Sequence, residues 1–257
     1  MNQLNAESFL LLNYCWIALA IVVHVTMFYI KAPFGRHTSE HWSISINNKL
    51  GWFIMELPSL LIMLFFLVYG KDSLNSYVWI LFLLWILHYI NRTLIYPLRI
   101  KATPKKIPVF IVCSAIFFNV VNAGLNGYYL SELAGTSQYN EQWILSWNFW
   151  IGFGLFLIGM FINRTSDSLL INLRATGDTG YKIPFGFLFK YVSSPNLFGE
   201  LVQWLGFAVM AWNVPALGFF IWTYANLVPR AKNHHDWYHS NFPNYPKDRK
   251  IIFPFIY

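Results

Sequence analysis

Five apolar stretches follow one another in this chain: Phe9 to Tyr29, Gly51 to Gly70, Tyr77 to Tyr96, Pro108 to Leu130 and Trp143 to Asn163. At roughly 20 residues each, they are long enough to cross a bilayer core of ~30 Å as helices, whose backbone hydrogen bonds all close internally. Two shorter stretches, Leu197 to Trp212 and Val214 to Val228, are split by Asn213 and Pro215 and read as a tight helical pair. Only 11% of the 257 residues are charged, against ~25% in a soluble domain. The expected fold is therefore an all-α integral membrane protein with seven transmembrane helices, forming one domain over residues 1–257. The first stretch lacks the basic start and cleavage site of a signal peptide and is kept as a helix. Cys15 and Cys113 both fall inside spans and suggest no disulfide framework.

Lys and Arg fix the expected orientation. Of the 18, 16 fall in the segments after helices 1, 3, 5 and 7, so the positive-inside rule puts the N-terminus outside and the C-terminus in the cytoplasm. The formal charge of +7 is then a topology signal, and no nucleic-acid partner and no obligate protein partner is expected.

Glu56 lies inside the second apolar stretch, in Glu56-Leu57-Pro58-Ser59. A charge at mid-bilayer costs ~2.5 to 3.5 kcal/mol on the mildest scale, so this group should be protonated, paired or set in a wet cavity. Glu56 and Tyr89 each lie about 9 to 10 Å inside the cytoplasmic ends of their helices at ~1.5 Å per residue, so they can meet at one level. Tyr89, Arg92 and Tyr96 share a helical face, with His88 beside them. The plainer reading is that Arg92 snorkels to the interface and the tyrosines form an aromatic belt.

Other stripes carry polar groups. Asn119, Asn122 and Asn126 share a face of helix 4, expected deeper than Glu56, and interhelical hydrogen bonding accounts for them as well as ligand binding does. Asn163, Asp167 and Arg174 align if helix 5 continues past the apolar stretch. Asn226, Arg230, His234 and Tyr238 recur every four residues, a face of amide, guanidinium, imidazole and phenol suited to a phosphate-bearing ligand. Between these stripes runs a long segment, Arg164 to Gly199, able to close over a large ligand. No Gly-x-Gly-x-x-Gly follows a strand, so a dinucleotide would not be held by a Rossmann fold.

Together these residues resemble the steroid 5α-reductase family, which reduces the C4=C5 bond of 3-oxo-Δ4-steroids with NADPH. The resemblance spans nearly the whole chain. It is most specific over Trp52 to Ser59, His88 to Thr93, Gly127 to Leu130, Tyr181 to Pro184, Asn196 to Glu200, Arg230 to His235 and Tyr245 to Lys250. It implies that Glu56 and Tyr89 contact the steroid 3-keto oxygen, with Trp52, Arg92, Asn122 and Tyr128 on the substrate side formed by helices 1–4. It implies NADPH as cofactor, bound by the 163–257 part through Asn163, Asp167, Arg174, Tyr181, Asn196, Glu200, Trp204, Arg230, His234 and Tyr238, and no metal. Phe34 and Asn126 depart from the family pattern, which has Tyr and Gln there. The expected partners are a steroid or steroid-like lipid enone and membrane lipid. The membrane would be the bacterial cytoplasmic membrane in a prokaryote and the endoplasmic reticulum in a eukaryote.

Rival readings are a reductase of a polyprenol or enoyl thioester, a methyltransferase using S-adenosylmethionine, and a seven-helix receptor. A di-iron desaturase would draw on His37, His41, His234, His235 and His239.

Overall fold

The computed structural model describes residues 5–30, 44–70, 77–101, 106–173 and 180–257. Helix α1 spans Ala6–Tyr29, its first turn capped by Asn5, whose side-chain oxygen accepts the Ser8 N–H at 2.7 Å. Strand β1, Ser45–Asn47, leads into α2, Asn48–Tyr69. Helix α3 spans Trp79–Arg99, β2 is Lys106–Pro108, and α4 spans Val109–Leu133. Helix α5 covers Trp147–Asn172, α6 Pro195–Ala211 and α7 Val214–Asn241. Helices α1 to α5 are each long and apolar enough to cross a membrane. Helix α6, with 17 residues, measures about 26 Å at ~1.5 Å per residue. The second half of α7 is polar.

Three helices differ in extent from the apolar stretches of the sequence. Trp143 belongs to a separate short helix, Glu141–Leu145, because Ser146 turns extended (ψ 154) and its hydroxyl caps Phe149 of α5 instead. Helix α5 runs on past Asn163 to Asn172, which shortens the connection to α6. Helix α7 runs through Pro229 to Asn241 rather than ending at Val228. Proline has no N–H for the carbonyl four residues back, here Ala225. His24 of α1 supplies the missing donor, its Nδ1 lying 3.2 Å from the Ala225 oxygen. Helix α3 widens near its end into a π turn over Asn91–Ile95, where the Tyr96 N–H bonds the Asn91 carbonyl.

Glycine sets the spacing of α5 and α6. A Cβ on Gly152 would lie 2.6 Å from the Gly206 carbonyl oxygen, and one on Gly206 would lie 2.6 Å from that of Gly152. Gly159 and Gly199 meet in the same way one heptad further along. Backbones this close are the packing that small residues allow between membrane helices. They bring Asn163 Nδ2 of α5 to 3.0 Å from the Asn196 carbonyl on α6.

Aromatic rings fill the centre. Trp85 and Trp204 each lie 4.5 Å from Phe219, and Phe207 packs on both tryptophans. At one end of the bundle β1 pairs antiparallel with β2, Ser45 opposite Pro108 and Asn47 opposite Lys106, so the segments leading into α2 and α4 are joined there. At another boundary, Tyr139 is fully buried and its hydroxyl donates to the Ala211 carbonyl at 2.9 Å while accepting from Asn213 at 2.9 Å. Trp143 Nε1 donates to the Met210 carbonyl at 2.9 Å, so two of the last carbonyls of α6 find partners. Burial pushes the Tyr139 phenol well above the usual range, and it stays a neutral donor.

Candidate active site

A cavity of about 1100 Å³ opens between the helices, larger than the pocket of one small ligand. One side is apolar, with Trp16 and Val23 from α1, Phe118 from α4, and Phe219 and Trp222 from α7. The other is polar. Asp167 comes from α5, Asn196 and Glu200 from α6, and Asn226, Arg230, His234 and Tyr238 all come from α7. Tyr181 and Lys182 reach it from the segment before α6.

Glu56 and Tyr89 sit between the two sides. Glu56 Oε1 lies 3.8 Å from Arg92 Nη2, and Arg92 Nη1 lies 3.6 Å from Asp167 Oδ2. One guanidinium therefore stands between two carboxylates, its planar face over Trp52 (4.6 Å) and Tyr96 (5.1 Å). The Arg92 side chain is only 12% exposed, held among these partners. Glu56 thus both faces the cavity and lies beside a cation. Three residues on from Glu56, Ser59 accepts the Trp85 indole N–H at 3.0 Å, and Trp85 stacks on Tyr89 with centroids 5.6 Å apart and rings 18° from parallel. The Glu-Leu-Pro-Ser motif thus places a carboxylate and, through Trp85, helps to orient the phenol.

Asn119 completes the contact. Its amide oxygen accepts the Tyr89 hydroxyl at 3.2 Å, and its Nδ2 donates to Glu56 Oε2 at 3.2 Å and to the Met55 carbonyl at 2.6 Å. The depth offset expected between the asparagine stripe and Glu56 is small at its first member. Asn119 is only about two residues further into α4 than Glu56 is into α2, on the order of 3 Å, which a side chain spans. An asparagine inside an apolar helix is ambiguous in sequence, so its link to Glu56 was not legible there.

The remaining expected residues divide. Trp52, Arg92, Asp167, Tyr181, Asn196, Glu200, Arg230, His234 and Tyr238 all line the cavity. Asn122, Tyr128, Asn163 and Trp204 are not among its described lining. Asn122 faces α1, accepting the Trp16 indole N–H at 3.1 Å, and Asn126 Nδ2 donates to the Pro215 carbonyl at 3.2 Å, so both join helices. Tyr128 packs against Phe9, ring centroids 5.6 Å apart. Trp204 lies beneath His88 (4.8 Å) and Tyr89 (6.2 Å) as part of the aromatic centre. Asn163 stands behind the wall, its Nδ2 3.5 Å from Glu200 Oε2, while Asn196 Nδ2 donates to Asp167 Oδ1 at 3.1 Å. Arg174, His37 and His41 lie outside the described residues.

These features define a helical protein of the membrane-spanning class that encloses a cavity with one apolar and one charged side. A family model described as 3-oxo-5-alpha-steroid 4-dehydrogenase matches residues 105–257. Steroid 5-alpha-reductase DET2 of Gossypium hirsutum is 38% identical over 96% of this chain and 98% of its own length. DET2 of Arabidopsis thaliana is 37% identical over the full length of both chains. 3-Oxo-5-alpha-steroid 4-dehydrogenase 1 of Bos taurus is 38% identical over 98% of each. The chain belongs to the steroid 5-alpha-reductase family, oxidoreductases of steroid metabolism.

Proposed function

We propose that this protein reduces the C4=C5 double bond of 3-oxo-Δ4-steroids to 5α-steroids at the expense of NADPH. The observation that carries the reading is that Glu56 and Tyr89 face the same cavity as the Arg230, His234 and Tyr238 wall. The names of the relatives supply the bond and the substrate class. The apolar side suits a tetracyclic lipid.

The donor set on the polar side fits NADPH. Arg230, His234, Tyr238 and Lys182 can hold phosphate, and Asp167, Glu200 and Asn196 offer oxygens to hydroxyl and carboxamide groups. Bound there, NADPH would supply the hydride that reduces C5. Every other requirement falls on the protein. Charge that develops on the C3 oxygen needs donors already in place, each worth ~2.7 to 4 kcal/mol. Tyr89 offers its phenol proton, and a protonated Glu56 offers a second. Arg92 between Glu56 and Asp167 leaves this trio one negative charge in excess, which a single proton on Glu56 balances. C4 then takes a proton from solvent or a side chain.

We also read α6 and α7 as spans, seven in all, with the N-terminus outside and the C-terminus cytoplasmic, on the Lys and Arg distribution. The whole chain then forms one domain, with residues 163–257 holding the cofactor. Incubating the purified protein with NADPH and testosterone or progesterone should yield the 5α-reduced product by mass spectrometry. Unchanged steroid together with turnover of a polyprenol or an enoyl thioester would refute the assignment.

A further inference from the structure

Asn119 is 3% exposed and, like Asn122 and Asn126, it bonds to a neighbouring helix, but its partners on α2 and α3 include the side chains of Glu56 and Tyr89 as well as a backbone carbonyl. Its carboxamide touches both groups assigned to the carbonyl oxygen, and its orientation follows from the chemistry of its partners. The Met55 carbonyl, 2.6 Å away, can only accept. The NH₂ end of the amide must face it, and a flipped amide would set two oxygens against each other at that distance. The Asn119 oxygen must then face Tyr89, so the phenol donates its single proton to Asn119. The same NH₂ also points at Glu56 Oε2, 3.2 Å away. Met55 directly precedes Glu56, so the amide is anchored to the turn of α2 that carries the carboxyl.

We propose that Asn119 is a positioning residue for the reduction: one amide, fixed by the Met55 carbonyl, sets the spacing of the Tyr89 hydroxyl and the Glu56 carboxyl and the direction of the Tyr89 proton. The proposal rests on the reading of Glu56 and Tyr89 as the groups that meet the substrate carbonyl. Before substrate arrives, Asn119 holds the phenol where a carbonyl oxygen will replace it as acceptor. Turning the hydroxyl from the amide to the ketone then needs rotation about one bond and no movement of α3. Without Asn119 the phenol and the carboxyl keep their places in the sequence but lose the group that fixes their relation.

A double-mutant cycle with steroid as substrate tests this. Asn119→Leu keeps the side-chain size and removes both hydrogen-bonding ends. It should lower kcat about tenfold to a hundredfold, the scale of a misplacement near 1 Å, with the KM for NADPH unchanged. Tyr89→Phe alone should lower kcat by about a hundredfold. Because part of the effect of Asn119 passes through Tyr89, adding Asn119→Leu to Tyr89→Phe should cost clearly less than Asn119→Leu costs in the wild type, the remainder being the share that passes through Glu56. If Asn119→Leu does not fold, Asn119→Ala carries the same cycle. Wild-type kcat in the asparagine variant, or losses that simply multiply in the double variant, overturns the positioning role alone. Wild-type kcat in Tyr89→Phe overturns the carbonyl reading itself and the proposal with it.

Discussion

Arg92→Met keeps the length of the side chain and much of its contact with Trp52 and Tyr96 while removing the charge that faces both Glu56 and Asp167. Taking one partner from a buried ion pair costs ~3 to 5 kcal/mol. The contacts here, at 3.6 and 3.8 Å, are longer than charge-assisted hydrogen bonds, and 12% of the guanidinium side chain stays exposed. The lower end of that range, about 3 kcal/mol, therefore applies. At ~2 to 4 °C per kcal/mol, the melting temperature should fall by about 6 to 12 °C, read by tryptophan fluorescence in detergent. Arg92→Lys should recover only part of this, because Nη1 and Nη2 face different carboxylates and one ammonium nitrogen serves a single partner. Adding Asp167→Asn to Arg92→Met should raise the melting temperature again by removing one uncompensated carboxylate. Melting of Arg92→Met within about 2 °C of wild type, against this scale, would show that the guanidinium is not the counter-charge of the pair.

At Glu56, Gln keeps a donor of similar shape and should retain part of the turnover, whereas Glu56→Leu should lose nearly all of it; equal rates for Leu and wild type in the steroid assay contradict the donor role. Arg230→Ala should raise the KM for NADPH and leave steroid affinity close to wild type, measured by equilibrium binding; an equal loss of both would place Arg230 outside the cofactor wall. Gly206→Leu should prevent α5 and α6 from closing and leave little folded protein on size-exclusion chromatography, while Gly154→Leu, at a position with open space around it, should be tolerated.

Much of this site was legible because it broke the apolar pattern. Glu56 is conspicuous as a carboxylate in a membrane stretch, and the four-residue repeat from Asn226 to Tyr238 announced a helical face, which the structure sets on one cavity wall. What escaped is what depends on a neighbouring helix. The heptad pairs Gly152 with Gly159 and Gly199 with Gly206 are visible in the sequence, but only the crossing of α5 and α6 turns them into a contact. The helix passes through Pro229, and the donor that meets the carbonyl freed there comes from His24, two hundred residues earlier. Asn119 and Asn122 are the same residue type on the same stripe. One meets Glu56 of α2 and the other Trp16 of α1, a difference set by which helix lies beside each.

Helix α7 carries Phe219 and Trp222 on the apolar side of the cavity and Arg230, His234 and Tyr238 on the charged side, all on one unbroken rod. The two sides of the cavity are therefore locked in rotational phase. Inserting a single alanine after Leu227 would leave Trp222 in place yet swing Arg230 and everything beyond it by about 100° away from the cavity. Inserting four would bring the angle back to within about 40° while sliding the charged half about 6 Å along the axis. The distance between the apolar and the charged side of the cavity is therefore counted in residues of α7.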